Sequence, residues 1–445
     1  MEKIYDVIVI GSGVAGMAVA HELATKKKIA VIENDLWGGT CPNRGCDPKK
    51  LLYAAVETKE AVTHLSGKGF SVNPQVHWPE LMSFKESVIN PMSLTSKKSL
   101  ETAGIETVKG KAVFINENTI QVNKDTLTAE KIIIATGARP ALLNIEGQEQ
   151  LLTSADFLSL KEMPEKIIFI GGGYVAFELA TIANAAGAEV HVVHHNDRPL
   201  KAFDLELVDE LIQQLESKGV TFHYNLNTKS VVQTDDQFIL TADNNESITA
   251  DLVFCATGRT PNSEELNLEK AGVTVDKKGI KVNEYLQSSN EIIFACGDVV
   301  SKKVEKLTPV ASFEGAYLAN YLTGKTSEKI TYPSIPTVIY SSPKLAQTGI
   351  STKQATEQKE TYEVATIDAT SWFSYRRVNE PVSKIKVITH RETGLLVGAS
   401  CLNAKADEMI NFLTLLINKK ITTQETAQFI MAYPTHASDL SSIYK

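Results

Sequence analysis

Residues 4–33 leave the chain little choice of fold. Ile4–Ile10 is an apolar run of mostly Ile and Val, the composition of a parallel strand buried on both faces. It runs into Gly11-Ser12-Gly13-Val14-Ala15-Gly16, a helical pattern to about Thr25, and a second apolar run, Ile29–Ile32, ending in Glu33. Gly11 suits a tight turn, Gly13 a close approach of the backbone to a pyrophosphate, and Gly16 the packing of helix on strand. Glu33 suits a ribose hydroxyl. The pattern returns at Lys166. Ile167–Ile170 is followed by Gly171-Gly172-Gly173-Tyr174-Val175-Ala176, a helix capped at Gly187, and a strand Glu189–Val193. Two copies of one βαβ unit predict an α/β protein with two dinucleotide sites.

Between the copies lies Gly38-Gly39-Thr40-Cys41-Pro42-Asn43-Arg44-Gly45-Cys46-Asp47-Pro48-Lys49-Lys50. Pro48 suits the first turn of a helix that continues to about Val62. Cys46 would sit beside that helix's N-terminus, whose partial positive charge favours a thiolate. Two cysteines this close point to redox or metal chemistry more than to a structural staple. A metal needs further ligands, and Cys255, Cys296 and Cys401 are isolated in apolar runs, so the pair reads as redox-active with no metal.

At 445 residues the chain needs two to four domains. The net charge of −8 argues against nucleic-acid binding. Val7–Ala20 is broken by glycines and lacks a basic leader, and no other segment is long enough to span a bilayer, so the expected location is the cytoplasm. Residues 51–104 read as mainly helical and Val108–Ile134 as a β-meander that closes on Ala135-Thr136-Gly137. The strand Leu252–Ala256 leads to Thr257-Gly258-Arg259, and Ile292–Cys296 leads to Gly297-Asp298. Beyond Thr331 strands are expected near Thr337–Tyr340, Tyr362–Asp368, Ser383–Thr389 and Leu395–Cys401, then helices Ala406–Lys419 and Thr423–Met431.

Two nucleotide folds, a Cys-x4-Cys pair, Gly-Asp and a C-terminal α+β region together resemble the pyridine nucleotide–disulfide oxidoreductases, the family of glutathione reductase and dihydrolipoamide dehydrogenase. The resemblance runs from Tyr5 to Ser438. It implies two Rossmann-like domains, FAD-binding (1–146 and 262–330) and NAD(P)-binding (147–261), followed by an α+β dimerisation domain (331–445) that forms a homodimer. It places FAD on Gly11, Ser12, Gly13, Val14, Ala15, Gly16, Glu33, Gly39, Thr40, Ala135, Thr136, Gly137, Gly297 and Asp298. Cys41 and Cys46 become a redox disulfide, with Cys46 toward the flavin and Cys41 toward substrate. Lys49 or Lys50 would pair with Glu178 beside the flavin, and Tyr174 would cover the nicotinamide pocket. The second nucleotide falls to Gly171, Gly173, Tyr174, Val175 and Gly258.

A site for NAD normally ends its second strand in Asp or Glu. Here Val193 is followed by His194-His195-Asn196-Asp197-Arg198-Pro199-Leu200-Lys201. His194, His195, Arg198 and Lys201 suit a 2′-phosphate and hence NADPH; a solvated basic loop is the plainer reading. The family's C-terminal acid–base histidine and its glutamate correspond to Tyr433 and Ser438. Tyr433, His436 or water could supply the proton, or disulfide turnover is not the reaction. Arg44 could lower a thiol pKa, bind a substrate carboxylate, or be an exposed charge. The leading expectation is an NADPH-dependent reductase of a small, anionic, low-molecular-weight disulfide. An NAD(P)H oxidase or quinone-type reductase and an NAD-dependent dihydrolipoamide dehydrogenase-like enzyme stay open beside it.

Overall fold

The structure is a computed structural model that describes residues 2–444. The elements that position the site are, in chain order, β1 (Glu2–Ile10), α1 (Val14–Leu23), β2 (Ile29–Glu33), α2 (Thr40–Arg44), α3 (Cys46–His64), β3 (Lys166–Ile170), α4 (Tyr174–Ala185), β4 (Glu189–Val193) and α5 (Thr308–Leu322). The chain packs into two compact units, one of Met1–Leu51, Ser83–Ala141 and Gly258–Thr331, the other of Leu52–Met82, Leu142–Thr257 and Tyr332–Lys445.

The first unit is built on a seven-stranded sheet. Glu106–Lys109, β2, β1, Asp125–Ile134 and Ile293–Ala295 run parallel in that order. The expected meander is therefore shorter than Val108–Ile134. Glu106–Lys109 joins β2 as a parallel strand, and only Ala112–Phe114, Thr119–Val122 and Asp125–Ile134 form the antiparallel part. Strand β1 sits between two neighbours, so Val7, Ile8, Val9 and Ile10 are all buried, as its apolar run requires. Helix α1 lies against α5, where a Cβ on Gly315 would come within 2.6 Å of the Ala15 carbonyl oxygen.

In the second unit Val220–His223, β4, β3 and Leu252–Cys255 form a four-stranded parallel sheet. A three-stranded antiparallel sheet, Thr228–Ala250, and a helix, Leu205–Ser217, were not among the expectations. The helix carries its own signals: Asp204 accepts from the Leu207 amide at 3.1 Å, and Leu207, Val208, Leu211, Ile212 and Leu215 form one buried stripe. The C-terminal part is a five-stranded antiparallel sheet under the helix Ala406–Lys419, with Lys344–Gly349 a strand beyond those expected. The expected helix Thr423–Met431 is helical only over Thr423–Thr426. Past it Phe429 and Ile430 are exposed, so these side chains add no packing within the chain that would hold a longer helix. Among the described residues no helix is long and apolar enough to cross a membrane.

Candidate active site

The three glycines after β1 do different things. A Cβ on Gly16 would lie 2.0 Å from the Gly11 carbonyl oxygen, and one on Gly11, at φ +102°, would lie 2.4 Å from the Ala135 oxygen. Both hold the helix and the neighbouring loop at contact distance. A Cβ on Gly13 would meet nothing within 4 Å. Gly13 is also the N-cap of α1 and has no side-chain cap. The first-turn N–H groups over Val14 and Ala15 therefore face an open cradle, which fits a pyrophosphate. Glu33 is buried; one oxygen accepts from the Ser12 amide (3.0 Å) and hydroxyl (2.7 Å), the other from the Asp35 amide (2.8 Å). A carboxylate has about four acceptor sites, so about one is left for a ribose hydroxyl.

The loop Ala135-Thr136-Gly137 is tied to Asn262. The Thr136 hydroxyl donates to the Asn262 carbonyl (2.6 Å), and the Asn262 side chain donates to the Thr136 carbonyl (2.9 Å). Gly297 and Asp298 open a short 3-10 turn. The Gly297 amide donates at 2.7 Å to Glu314, a fully buried carboxylate on α5 that also pairs with Lys302 at 2.5 Å. Sequence reasoning missed Glu314; a lone Glu within an apolar helix was the available signal.

The cysteines lie where α2 gives way to α3. Gly39, at φ +70°, starts α2, and a Cβ on it would lie 2.7 Å from Gly13; Thr40 beside it is exposed. Asn43 donates to the Trp37 and Gly39 carbonyls and fastens the turn. Gly45 breaks the helix, and α3 starts at Cys46, two residues before Pro48. Both thiols are free and half-buried. The Thr308 hydroxyl, at the start of α5, is 3.3 Å from Cys46 Sγ and 3.5 Å from Cys41 Sγ. Sequence reasoning missed this residue too, since nothing in Leu307-Thr308-Pro309 announces a partner some 260 positions away.

The pair is electrically asymmetric. A hydrogen bond from Cys41, then the Thr308 hydroxyl and the charges of Lys49 and Lys50, bring the Cys46 thiol down to about 6 against its burial. The same hydrogen bond and burial push Cys41 well up, so Cys46 is the thiolate and Cys41 the donor. Arg44 is engaged outside the pair. It forms a two-pronged ion pair with Asp35 at 2.6 and 3.2 Å, and both side chains are about half exposed.

The second glycine turn repeats the first. A Cβ on Gly171 would lie 2.4 Å from the Ala256 oxygen, whereas one on Gly173, the uncapped N-cap of α4, would meet nothing. Tyr174 and Val175 open the helix, Tyr174 exposed, and Glu178 is buried with an oxygen accepting from the Tyr340 amide at 2.8 Å. After β4, His194 is buried, its ring against Gly172, its Nε2 on the Arg198 carbonyl at 3.1 Å, and burial lowers its pKa. His195 and Lys201 are exposed, while Arg198 is 3.2 Å from Asp209. Gly258 belongs to the first unit, where its carbonyl accepts from Ala141 at 3.0 Å.

Tyr433 is 75% exposed and stacks on Phe373 with ring centroids 6.2 Å apart. His436 turns inward, edge-on to Tyr375 at 4.8 Å, its Nε2 buried with no hydrogen-bond partner among the described residues. Burial, Arg377 and Lys405 lower its pKa.

The sequence matches the family model of the pyridine nucleotide-disulphide oxidoreductases over residues 5–315 and that of their dimerisation domain over residues 335–442. It is 33% identical over 442 residues to a dihydrolipoyl dehydrogenase of Bacillus subtilis (strain 168), covering 97% of this chain and 93% of that one. It is 30% identical over 442 residues to a glutathione reductase of Burkholderia cepacia, covering 99% and 98%. The fold is shared with RclA, an HOCl-induced flavoprotein disulfide reductase of Escherichia coli, at a TM-score of 0.90 and 24% identity over 99% of both chains. The chain thus belongs to the pyridine nucleotide–disulfide oxidoreductases, flavoprotein enzymes that use FAD and a pyridine nucleotide, and it carries their dimerisation domain.

Proposed function

We propose that the protein is an FAD-dependent NADPH:disulfide reductase that acts as a homodimer on a small anionic disulfide through Cys41 and Cys46. The observation that carries this reading is the close cysteine pair, with the Thr308 hydroxyl 3.3 Å from Cys46 Sγ and 3.5 Å from Cys41 Sγ, and with Cys41, Thr308 and the two lysines lowering the Cys46 thiol pKa. When bound, flavin and nicotinamide supply the hydride and electron transfer. The chain's own residues handle the thiol exchange. Cys41 attacks one sulfur of the substrate, expelling the first thiolate, as its proton passes to the neighbouring Cys46 thiolate. That proton then leaves with one product. Cys46 attacks Cys41 Sγ, closing the protein disulfide and releasing the second product. One thiol–thiolate pair and one disulfide enter; one protein disulfide, one thiol and one thiolate leave.

The absence of an acid at the end of β4, with His195 and Lys201 exposed beside Arg198, supports NADPH. Anaerobic titration with NADPH and with NADH, followed in the visible spectrum, tests the whole reading. A long-wavelength thiolate–flavin band at two electrons, reached sooner with NADPH, is expected. Full bleaching with no such band would sink it.

The exposed Tyr433 and the inward-turned His436 favour a second reading, an NAD(P)H oxidase or quinone-type reductase that needs no acid at the thiols. Unchanged turnover in a Cys41→Ser variant would select it.

A further inference from the structure

The chain has seven arginines. Five have partners for their guanidinium groups: Arg44 with Asp35, Arg139 with Glu264, Arg198 with Asp209, Arg259 with the Ala138 backbone carbonyl, and Arg391 with Glu363. The guanidinium groups of Arg376 and Arg377 make no hydrogen bond or ion pair among the described residues, and both are exposed. Both line one cavity of about 910 Å³ in the second unit, together with Lys68, Thr370, Ser371 and Asn379. Lys68 is held there by a 2.6 Å hydrogen bond to Asn379, which in turn donates to the His64 carbonyl at 2.7 Å.

The two carboxyl groups on the cavity wall do not cancel this charge. Asp368 accepts from the Thr370 amide at 3.0 Å, and the Thr370 hydroxyl and amide keep it below the usual carboxylate range. Glu380 is 6% exposed; one oxygen accepts from the Ala404 amide at 2.5 Å, and the other is buried without a hydrogen-bond partner among the described residues. Burial pushes Glu380 upward, toward the neutral acid, whose O–H is a donor. Three cations, Arg376, Arg377 and Lys68, thus outnumber the two acids on the wall, in a protein whose net charge is −8. The hollow is open to solvent and its lining is mainly polar, with room for a small anion. Guanidinium forks match the geometry of a tetrahedral oxyanion, and the hydroxyl and amide groups of Thr370, Ser371 and Asn379 on the same wall can add hydrogen bonds.

We propose that this cavity binds a small molecule carrying a dianionic phosphoryl group, held by Arg376, Arg377 and Lys68. The site uses none of the residues placed around the thiols or the two glycine turns.

Calorimetric titration of the FAD-loaded protein with inorganic pyrophosphate tests it, at a salt concentration of about 0.15 M so that loose surface attraction is screened. Saturable binding is expected. In Arg376→Ala/Arg377→Ala it weakens at least about ten-fold, or about 1.4 kcal/mol, at unchanged flavin content and melting temperature. In Arg198→Ala/Lys201→Ala, which alters the second nucleotide loop, binding stays within about two-fold. Three results would overturn the proposal. Binding could survive in the first variant or vanish only in the second. Citrate could bind more tightly than pyrophosphate, making the ligand a polycarboxylate. The first variant could dissociate into monomers with no anion dependence, making the cavity a subunit contact.

Discussion

Thr308 touches both sulfurs, so its hydroxyl can donate to whichever one carries the charge. A hydrogen bond to a charged group is worth about 1.5–3 kcal/mol, and about 1.4 kcal/mol corresponds to one pH unit. In Thr308→Ala the pH midpoint for alkylation of Cys46 in the reduced protein should therefore rise by about one unit. Thr308→Ser should restore it. The sign of the underlying profile follows from Cys46 lying below an ordinary thiol: its thiolate is present above about pH 6 and is lost as the pH falls through that value. A midpoint unmoved by Thr308→Ala would show that the lysines alone set the charge. The cysteines were legible in the sequence because their spacing and the helix start after them are local. Thr308 was not, because what marks it is a contact made only on folding, and the lone Glu314 of an apolar helix shows its partners, the Gly297 amide and Lys302, only in the fold. Arg44, beside the pair in sequence, is joined to Asp35 in the fold, a partner that its position in the chain did not announce.

At the scale of elements, the glycine turns predict two outcomes of one kind of substitution. Gly16→Ala places a methyl 2.0 Å from the Gly11 carbonyl, so α1 cannot stay seated on the sheet, and a loss of more than about 2 kcal/mol is expected. Gly13→Ala meets open space, so its melting temperature should stay nearly unchanged while flavin content, read from the ratio of visible to ultraviolet absorbance, falls. Similar melting curves for the two variants would contradict this division of labour. The link from α3 to the end of the helix Leu205–Ser217 makes a second test. Burial pushes Glu60 upward, but His64 and Lys218, at 3.5 and 2.8 Å, hold it down to about 2. That difference from an ordinary glutamate is worth about 3 kcal/mol of stability above pH 4.5, lost as the pH falls toward 2. Lys218→Met should lower the melting temperature at neutral pH by about 4 °C and flatten this acid limb. Both βαβ units were legible because glycines, strands and helix follow one another without a gap. The meander was misjudged because Glu106–Lys109 is paired with β2, and its partner cannot be read from a four-residue run.

At the scale of the molecule, Phe373, Tyr433, Phe412, Leu415, Phe429 and Ile430 are all exposed within the dimerisation domain. A second copy of the chain is the expected cover. Ile430→Lys should therefore shift the protein toward monomers in light scattering at micromolar concentration, and an unshifted dimer would place the interface elsewhere. The first unit is drawn from three separate stretches, with β1 beginning at Glu2 and its last sheet strand at Ile293. On the ribosome that gap has a duration. At about 5–20 residues per second, β1 and its glycine turn wait roughly 15–60 s for Ile293–Ala295 and α5 to emerge. The segment Leu142–Thr257 is complete 36 residues before Ile293, about 2–7 s earlier at that pace, so the second nucleotide fold can form while the flavin cradle is still unfinished. Nascent chains stalled before Ile293 should release without flavin, and those stalled far enough past Leu322 for α5 to clear the exit tunnel should retain it.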